Sequence, residues 1–424
     1  MNENLFQPKI AWRMTILLAL FMLLNFVDKI VVGLVAVPMM EELKLTPTEF
    51  GVVGGSFFWL FAIAGVVGGF IADRVAAKWF IAGMALVWAL VQFPIVYTSS
   101  VAAIIACRFL LGVAEGPAWP VAVHSLYKWF PDEKRSLPVS ILGQAAGVGL
   151  ILAGLIIPAV TKNWGWRMNF VGLGIVGIVW LVLWLPLGRE GSLEEAHADE
   201  TVGKASYKTL LSDPTLLACI FAHFASYWSL AITLTWMAVY LQKGLGYDAL
   251  AAGRMFSLFI AINLIFGLGT AWLSQRLMQQ KTPSRTARGV LTAIATLIAA
   301  ACYASMLIPG LSPIARVIIL GIGAGLSQAI YYTGPAIIGE ITPKPQRASI
   351  LAIDNSVASI AGIIAPILTG YLVQSVSGGV AAGYEVGFAV TGGFLAIAGL
   401  VGWALLKPAN SALRVRGATM AYVR

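Results

Sequence analysis

The sequence predicts an all-α polytopic membrane protein, with twelve transmembrane helices arranged as two six-helix halves. Three observations predict it. Hydrophobic residues fill 59% of the 424 positions and charged residues only 11%. Twelve apolar runs follow one another, each near the ~20 residues that a spanning helix needs. Basic residues gather in alternate connections between those runs. An average soluble domain carries about 25% charged residues and must cover its exterior with polar surface. This chain has too little, so the lipid bilayer is the solvent for most of it.

The apolar runs fall at 14–40, 50–71, 79–97, 101–128, 137–160 and 168–187, then at 214–241, 250–273, 288–308, 312–338, 349–374 and 384–406. Helices are the only reading, because a barrel would show short alternating segments instead. The first run is no cleavable signal peptide: it is too long, lacks a small-residue cleavage site and holds Asp28 and Lys29. The longest polar stretch, rich in Glu, Ala, Ser and Lys, reads as a solvated linker. It divides the chain into an N-terminal half at 1–187, a cytoplasmic linker at 188–213 and a C-terminal half at 214–424 that ends in a short tail.

The net charge of +9 is explained by topology. With both termini in the cytoplasm, the far side keeps only Lys44, Lys162, Arg167, Lys243, Arg254 and Arg316. Lys29 and Arg108 sit at membrane depth, and the other twenty of the 28 basic residues face the cytoplasm. That bias satisfies the positive-inside rule for a multi-pass protein of the cell inner membrane. The partners it implies are the lipid bilayer and no nucleic acid, and the chain is expected to act as a monomer. Cys107, Cys219 and Cys302 are odd in number and lie in apolar runs, so they read as packing residues.

No Walker A sequence, H-E-x-x-H motif or Cys/His metal cluster is present, so no cofactor, no metal and no enzymatic activity are expected. Gly321-Ile-Gly-Ala-Gly325 is no dinucleotide loop, for want of a surrounding βαβ unit. Gly65 and Gly69, Gly143 and Gly147, and Gly321 and Gly325 each give the spacing that lets helices approach closely.

Weak internal similarity supports a duplication. Gly69-Phe-Ile-Ala-Asp73-Arg74 ends the second run and Ala271-Trp-Leu-Ser-Gln275-Arg276 the eighth. Pro131-Asp-Glu-Lys-Arg135 follows the fourth and Pro343-Lys-Pro-Gln-Arg347 the tenth. The stretch Gly69, Asp73, Arg74 and Lys78 resembles the loop motif between helices two and three of the major facilitator superfamily. Its physical logic is a tight helix-to-loop contact at Gly69, then an acid that pairs with cations or helix ends. Ala76-Ala77-Lys78 lacks one basic residue of the usual last turn.

Further matches narrow the resemblance. Asn25-Phe-Val-Asp28-Lys29 is similar to a stretch in helix one of the anion:cation symporters, which include galactonate, hexuronate and glucarate carriers and vesicular glutamate and sialic acid transporters. Phe57-Phe-Trp59, Arg108-x-x-x-Gly112-x-x-Glu115-Gly-Pro117, Trp129-Phe-Pro131, Trp164-Gly-Trp166-Arg167, Leu234-Thr-Trp236 and Asn355 followed by Gly362-Ile-Ile-Ala-Pro366 fit the same family. Lys29 replaces the family's Arg, Phe61 a frequent Tyr, and Ala238 an expected Pro. The resemblance implies the major facilitator fold and proton-coupled symport of a small organic anion, a sugar acid or other carboxylate.

The residues themselves point the same way. An ionisable side chain at the bilayer centre is costly unless it faces a cavity or a partner, and two helices here hold four. Arg108 and Glu115 are two turns apart, about 10 Å along one stripe, and Gly112 between them leaves room for a ligand. Asp28 and Lys29 point about 100° apart, so one can face a cavity and the other a neighbouring helix. Lys29 and Arg108 offer positive charge to a carboxylate, Arg with a bidentate fork. For Asp28 and Glu115, burial opposes the charged form and the cations favour it, a balance that leaves a carboxyl able to exchange protons. The resemblance assigns proton coupling to Asp28 and Glu115, and anion engagement or holding of the Glu to Lys29 and Arg108. Two internal salt bridges that lock the fold are the structural alternative.

Gln144 from the first half, and Tyr227, Trp236, Gln328, Tyr331, Tyr332 and Asn355 from the second, are the remaining substrate-binding candidates. Aromatic walls with a few polar groups suit a ligand pocket. His223 reads as a satisfied core histidine, and Asp354 as solvated near a helix end. The competing functions are an exchanger or exporter of aromatic carboxylates and a non-transporting sensor of the same fold.

Overall fold

A computed structural model describes residues 7–72, 74–131, 134–191 and 205–422. Twelve helices in it are long and apolar enough to cross a membrane. They are α1 (Pro8–Leu34), α2 (Pro47–Gly69), α3 (Ala77–Tyr97), α4 (Val101–Tyr127), α5 (Leu137–Trp164) and α6 (Arg167–Leu187), then α7 (Pro214–Thr235), α8 (Ala249–Gln279), α9 (Arg285–Leu307), α10 (Pro313–Ile341), α11 (Lys344–Ser375) and α12 (Val380–Leu405). No strand occurs among the described residues. The fold class is as the composition requires.

Three of the spans are interrupted, α2 between Ser56 and Phe61, α4 and α10. In α4 the helix stops at Glu115 and resumes at Ala118, because Pro117 has no N–H to donate and disfavours helix in the residue before it. In α10 the break falls at Gln328, between Ser327 and Ala329. Faces that meet no other helix are apolar. On α6, Ile175, Val176, Val179, Val182 and Leu183 are exposed, the surface a helix presents to lipid.

Two compact units result, one of residues 1–196 with 234–257, the other of 197–233 with 258–424. The stretch Leu234–Ser257 packs into the first unit through backbone. A Cβ at Gly33 would lie 2.1 Å from the Leu234 carbonyl oxygen, and one at Gly253 would lie 2.2 Å from that of Gly154. Trp236 is wholly buried with its ring edge on Phe50, and Ser257 Oγ donates to the Ile151 carbonyl at 2.8 Å. Within the second unit, Gly321 lies close to Ile262, Gly323 to Cys302 and Gly325 to the Asn263 carbonyl. That is the close approach expected of their spacing.

The tight contact expected at Gly69 is not there: a Cβ at that position would meet nothing within 4 Å. The crowded position is its neighbour Gly68, whose Cβ would strike the Pro117 ring at 2.3 Å. The sequence motif marks the right turn of α2, but the helix presents Gly68 rather than Gly69 to α4.

Glu190, just past α6, ties down the start of α3 and the end of α4. Its carboxylate accepts from the Lys78 backbone N–H at 3.2 Å and from Lys128 Nζ at 2.6 Å. Burial, the largest influence, works against its charge, yet Lys128 and the amides of Lys78 and Ala77 hold the carboxyl below the usual glutamate range. A depressed folded value means that the clasp stabilises the protein above the ordinary glutamate value of ~4.3 and loses this effect as pH falls through the folded value. Half-exposed pairs are worth little, so Glu190→Gln should lower the melting temperature by about 1–3 °C at neutral pH. The difference from wild type should vanish at pH values below the carboxyl's titration. A constant difference across that range would remove the charged clasp as its cause.

Candidate functional site

The charged residues of α1 and α4 meet inside the first unit. Asn25, Asp28 and Lys29 lie on α1, Arg108 and Glu115 on α4, and all but the half-buried Lys29 are buried. Gly112 sets the depth of this meeting place. A Cβ there would lie 1.8 Å from the Phe57 carbonyl oxygen, so only glycine lets α4 sit against the backbone of α2. This corrects one expectation: the space at Gly112 is filled by α2 and is not open to a ligand.

Asn25 organises the cluster. Its Nδ2 donates to Glu115 Oε2 at 2.8 Å, and its Oδ1 accepts from Lys29 Nζ at 2.6 Å. Lys29 also stands 3.6 Å from Glu115 Oε2, so an amide bridges a buried cation and anion. The second carboxylate oxygen, Glu115 Oε1, is buried without a hydrogen-bond partner. Lys29 Nζ lies over the rings of Phe26, at 4.5 Å, and Phe61, at 5.2 Å. These faces favour a cation in an otherwise apolar setting.

Asp28 and Lys29 diverge as adjacent helix positions must. Asp28 turns to α3, where Gln92 Nε2 donates to its Oδ1 at 3.0 Å. It adjoins a recess walled by Phe21, Ala85, Trp88, Gly177 and Trp180. Lys29 and Arg108 instead line a second recess with Gly33, Gly54, Phe57 and Thr235.

Arg108 is bound differently from its neighbours. Its guanidinium stands over the Phe57 ring at 4.9 Å, and Nη1 reaches the Asp28 carbonyl at 3.4 Å. Its Nε is buried without a partner, and no carboxylate lies within ion-pair distance among the described residues. One cation of the cluster is thus paired directly, and the other meets the carboxylates of Asp28 and Glu115 only at longer range. The two internal salt bridges of the structural alternative reduce to one, between Lys29 and Glu115.

The other candidates lie apart from this cluster, although within the second unit Tyr227 and Tyr331 both pack against His223, and Gln328 and Tyr332 both reach Gly267. Gln144 is half-buried on α5, and Trp236 is packed on Phe50. In the second unit Tyr227 is buried on α7, while on α10 Gln328 and Tyr331 are half-buried and Tyr332 is exposed. Asn355 on α11 is exposed. Of the loop motif, Arg74 is exposed and Lys78 is held through its backbone by Glu190, whereas Asp73 lies outside the described residues.

Asp354 corrects a further expectation. It is not solvated: it is 4% exposed and lies 2.7 Å from His223 Nδ1 through its Oδ2. The histidine is satisfied on one side only, because Nε2 is buried without a partner. Gln92 and Asn25 had not stood out as site residues. Gln92 carried a signal, as a polar side chain deep in an apolar run, and Asn25 stood inside the motif that drew attention to its neighbours.

Comparison with known proteins bears on this arrangement. The family model of the Major Facilitator Superfamily matches residues 17–333. Probable anion transporter 4, chloroplastic, of Oryza sativa subsp. japonica is 26% identical over 388 residues. The match takes in 87% of this chain, which spans only 64% of that longer protein. The hexuronate transporter of Bacillus subtilis is 24% identical over 415 residues, 93% of this chain and 95% of the relative. Among solved structures, a bacterial homologue of the human lysosomal transporter Spinster, inward-facing and unoccupied, superposes with a TM-score of 0.78. It is 19% identical, over 96% of this chain and 98% of that one, a likeness of fold.

Proposed function

The chain belongs to the Major Facilitator Superfamily, and from that premise we propose that it carries a small organic anion across the membrane together with protons. It is a multi-pass membrane transporter rather than an enzyme. The observation that carries the finer reading is the contrast between its two buried cations. Lys29 has Glu115 and Asn25 in contact, whereas Arg108, in the same recess, meets Asp28 and Glu115 only at longer range, with no direct ion pair among the described residues. A buried guanidinium with donors unused and no directly bonded carboxylate is costly, and a substrate carboxylate is the partner that relieves the cost with two parallel hydrogen bonds.

Glu115 and Asp28 supply the protons. Glu115 has one oxygen bound and one free, and it balances Lys29 only while ionised. A proton on Glu115 releases Lys29 to join Arg108 in holding an anion, which links proton binding to substrate binding. The names of the anion and hexuronate transporters among its relatives support a sugar acid or another carboxylate as the substrate. A second reading, an exchanger or exporter of aromatic carboxylates, is favoured by the Phe26, Phe57 and Phe61 rings around the cations. The positive-inside bias supports cytoplasmic termini in a cell's inner membrane, where we take the protein to act as a monomer.

A thermal-shift screen of purified protein against organic acids should identify the cognate anion. In proteoliposomes its uptake should follow an inward proton gradient and collapse with a protonophore. Full uptake without a gradient, or strict dependence on sodium, overturns the proton-coupled reading.

A further inference from the structure

We propose that His223 and Asp354 form a second proton-binding site, inside the second unit and separate from the carboxylates of α1 and α4. The inference goes beyond the reading above and rests on different residues. His223 stands nine residues into α7 and Asp354 ten into α11, about 14–15 Å along each helix. Their relative exposures are 9% and 4%, so both groups are withdrawn from water. Nδ1 and Oδ2 are 2.7 Å apart. His223 Nε2 and Asp354 Oδ1 are both buried without partners. Among the described residues Asp354 has no ion pair with a lysine or arginine.

Among the described residues no lysine or arginine is in ion-pair contact with either group, and the titratable neighbours are Cys219, Tyr227 and Tyr331. On its own helix His223 has Cys219 and Tyr227 one turn to either side, and from α10 the Tyr331 ring meets it edge-on, with centroids 4.9 Å apart. From α11 it meets Asp354.

Two costs then oppose each other. With a neutral imidazole, Nδ1–H donates to the carboxylate and the pair carries one uncompensated negative charge in an apolar interior, which is expensive. A proton added at Nε2 cancels that charge and turns the Nδ1 contact into a charge-assisted bond. It also creates a buried Nε2–H with no acceptor in the protein, which is expensive in turn. The arrangement suits one exchangeable proton, taken up at Nε2 from water and returned to it, with no other bond made or broken. Coupled to transport, the site adds one proton to each cycle.

The chain has three histidines, so Histidine-selective 15N NMR on a His124→Gln/His197→Gln protein observes His223 alone. Its ring should pass between singly and doubly protonated forms across the pH range in which the protein stays folded. Adding Asp354→Asn should leave the ring singly protonated over that range. A ring that keeps one form throughout, or titrates the same without Asp354, overturns the site. This readout does not depend on transport, so it decides the proposal even if uptake proves independent of protons. In proteoliposomes with a proton gradient of one pH unit, His223→Gln should lower accumulation about tenfold, the equivalent of one proton, while counterflow exchange continues. Unchanged accumulation with exchange intact would overturn the coupling.

Discussion

Glu115→Gln protein exchanges the cognate anion across the membrane but no longer accumulates it against a gradient. Glutamine keeps the shape of the side chain, and its oxygen can still accept from Asn25 Nδ2, now 2.8 Å from Glu115 Oε2. Its amide cannot take up or release a proton. Lys29 keeps the Asn25 oxygen at 2.6 Å and the Phe26 and Phe61 faces, so the cation retains partners after its acid is gone. Exchange needs only binding and the return of the loaded carrier, and both survive. Accumulation needs the proton. A one-unit pH gradient coupled through one proton concentrates substrate about tenfold, and that factor is lost in the variant. If Glu115 merely locks the fold, the variant instead strands Lys29, melts early and exchanges poorly. Melting temperature and counterflow measured together separate these outcomes. A well-folded Glu115→Gln protein with wild-type accumulation removes Glu115 from the coupling.

The twelve spans were legible because bilayer thickness fixes the length of an apolar run, and composition alone excludes a soluble core. The adjacency of Asp28 and Lys29 also told most of its story, since helix geometry sends neighbours in different directions. What the sequence could not carry was the rotation of one helix against the next. Gly68 and Gly69 are equally small, and only the packing of α2 on α4 decides which meets Pro117. Gly112 looked like room for a ligand because a missing side chain reads the same whether substrate or backbone fills the gap. Gln92 and Asp28 are 64 residues apart, and His223 and Asp354 are 131 apart. No spacing rule joins such pairs. The break in α4 was readable, at Gly116-Pro117, but hydropathy passes smoothly through it.

Arg108→Ala carries the largest expected loss of binding. The guanidinium has a ring beneath it, at 4.9 Å to Phe57, and one long bond to the Asp28 carbonyl, at 3.4 Å. Neither neutralises its charge. An anion drawn into this recess loses its fork when Arg108 is truncated, and a buried charge stripped of its partner forfeits about 3–5 kcal/mol, some two to four powers of ten in affinity. Lys29, even when protonation of Glu115 releases it, offers a single ammonium and no fork, so it compensates only in part. Arg108→Lys should recover part of the binding: the charge returns, but an ammonium cannot offer two parallel donors to one carboxylate. Stability should fall as well. Arg108 acts at longer range on the buried carboxylates of Asp28 and Glu115. Arg108→Ala leaves them one cation short and should melt earlier than wild type, whereas Arg108→Lys should keep most of the melting temperature. Half-saturation for exchange, measured beside melting temperature for Ala and Lys at this position, tests both halves of the argument. A folded Arg108→Ala protein that exchanges the anion at wild-type half-saturation would place the substrate carboxylate elsewhere.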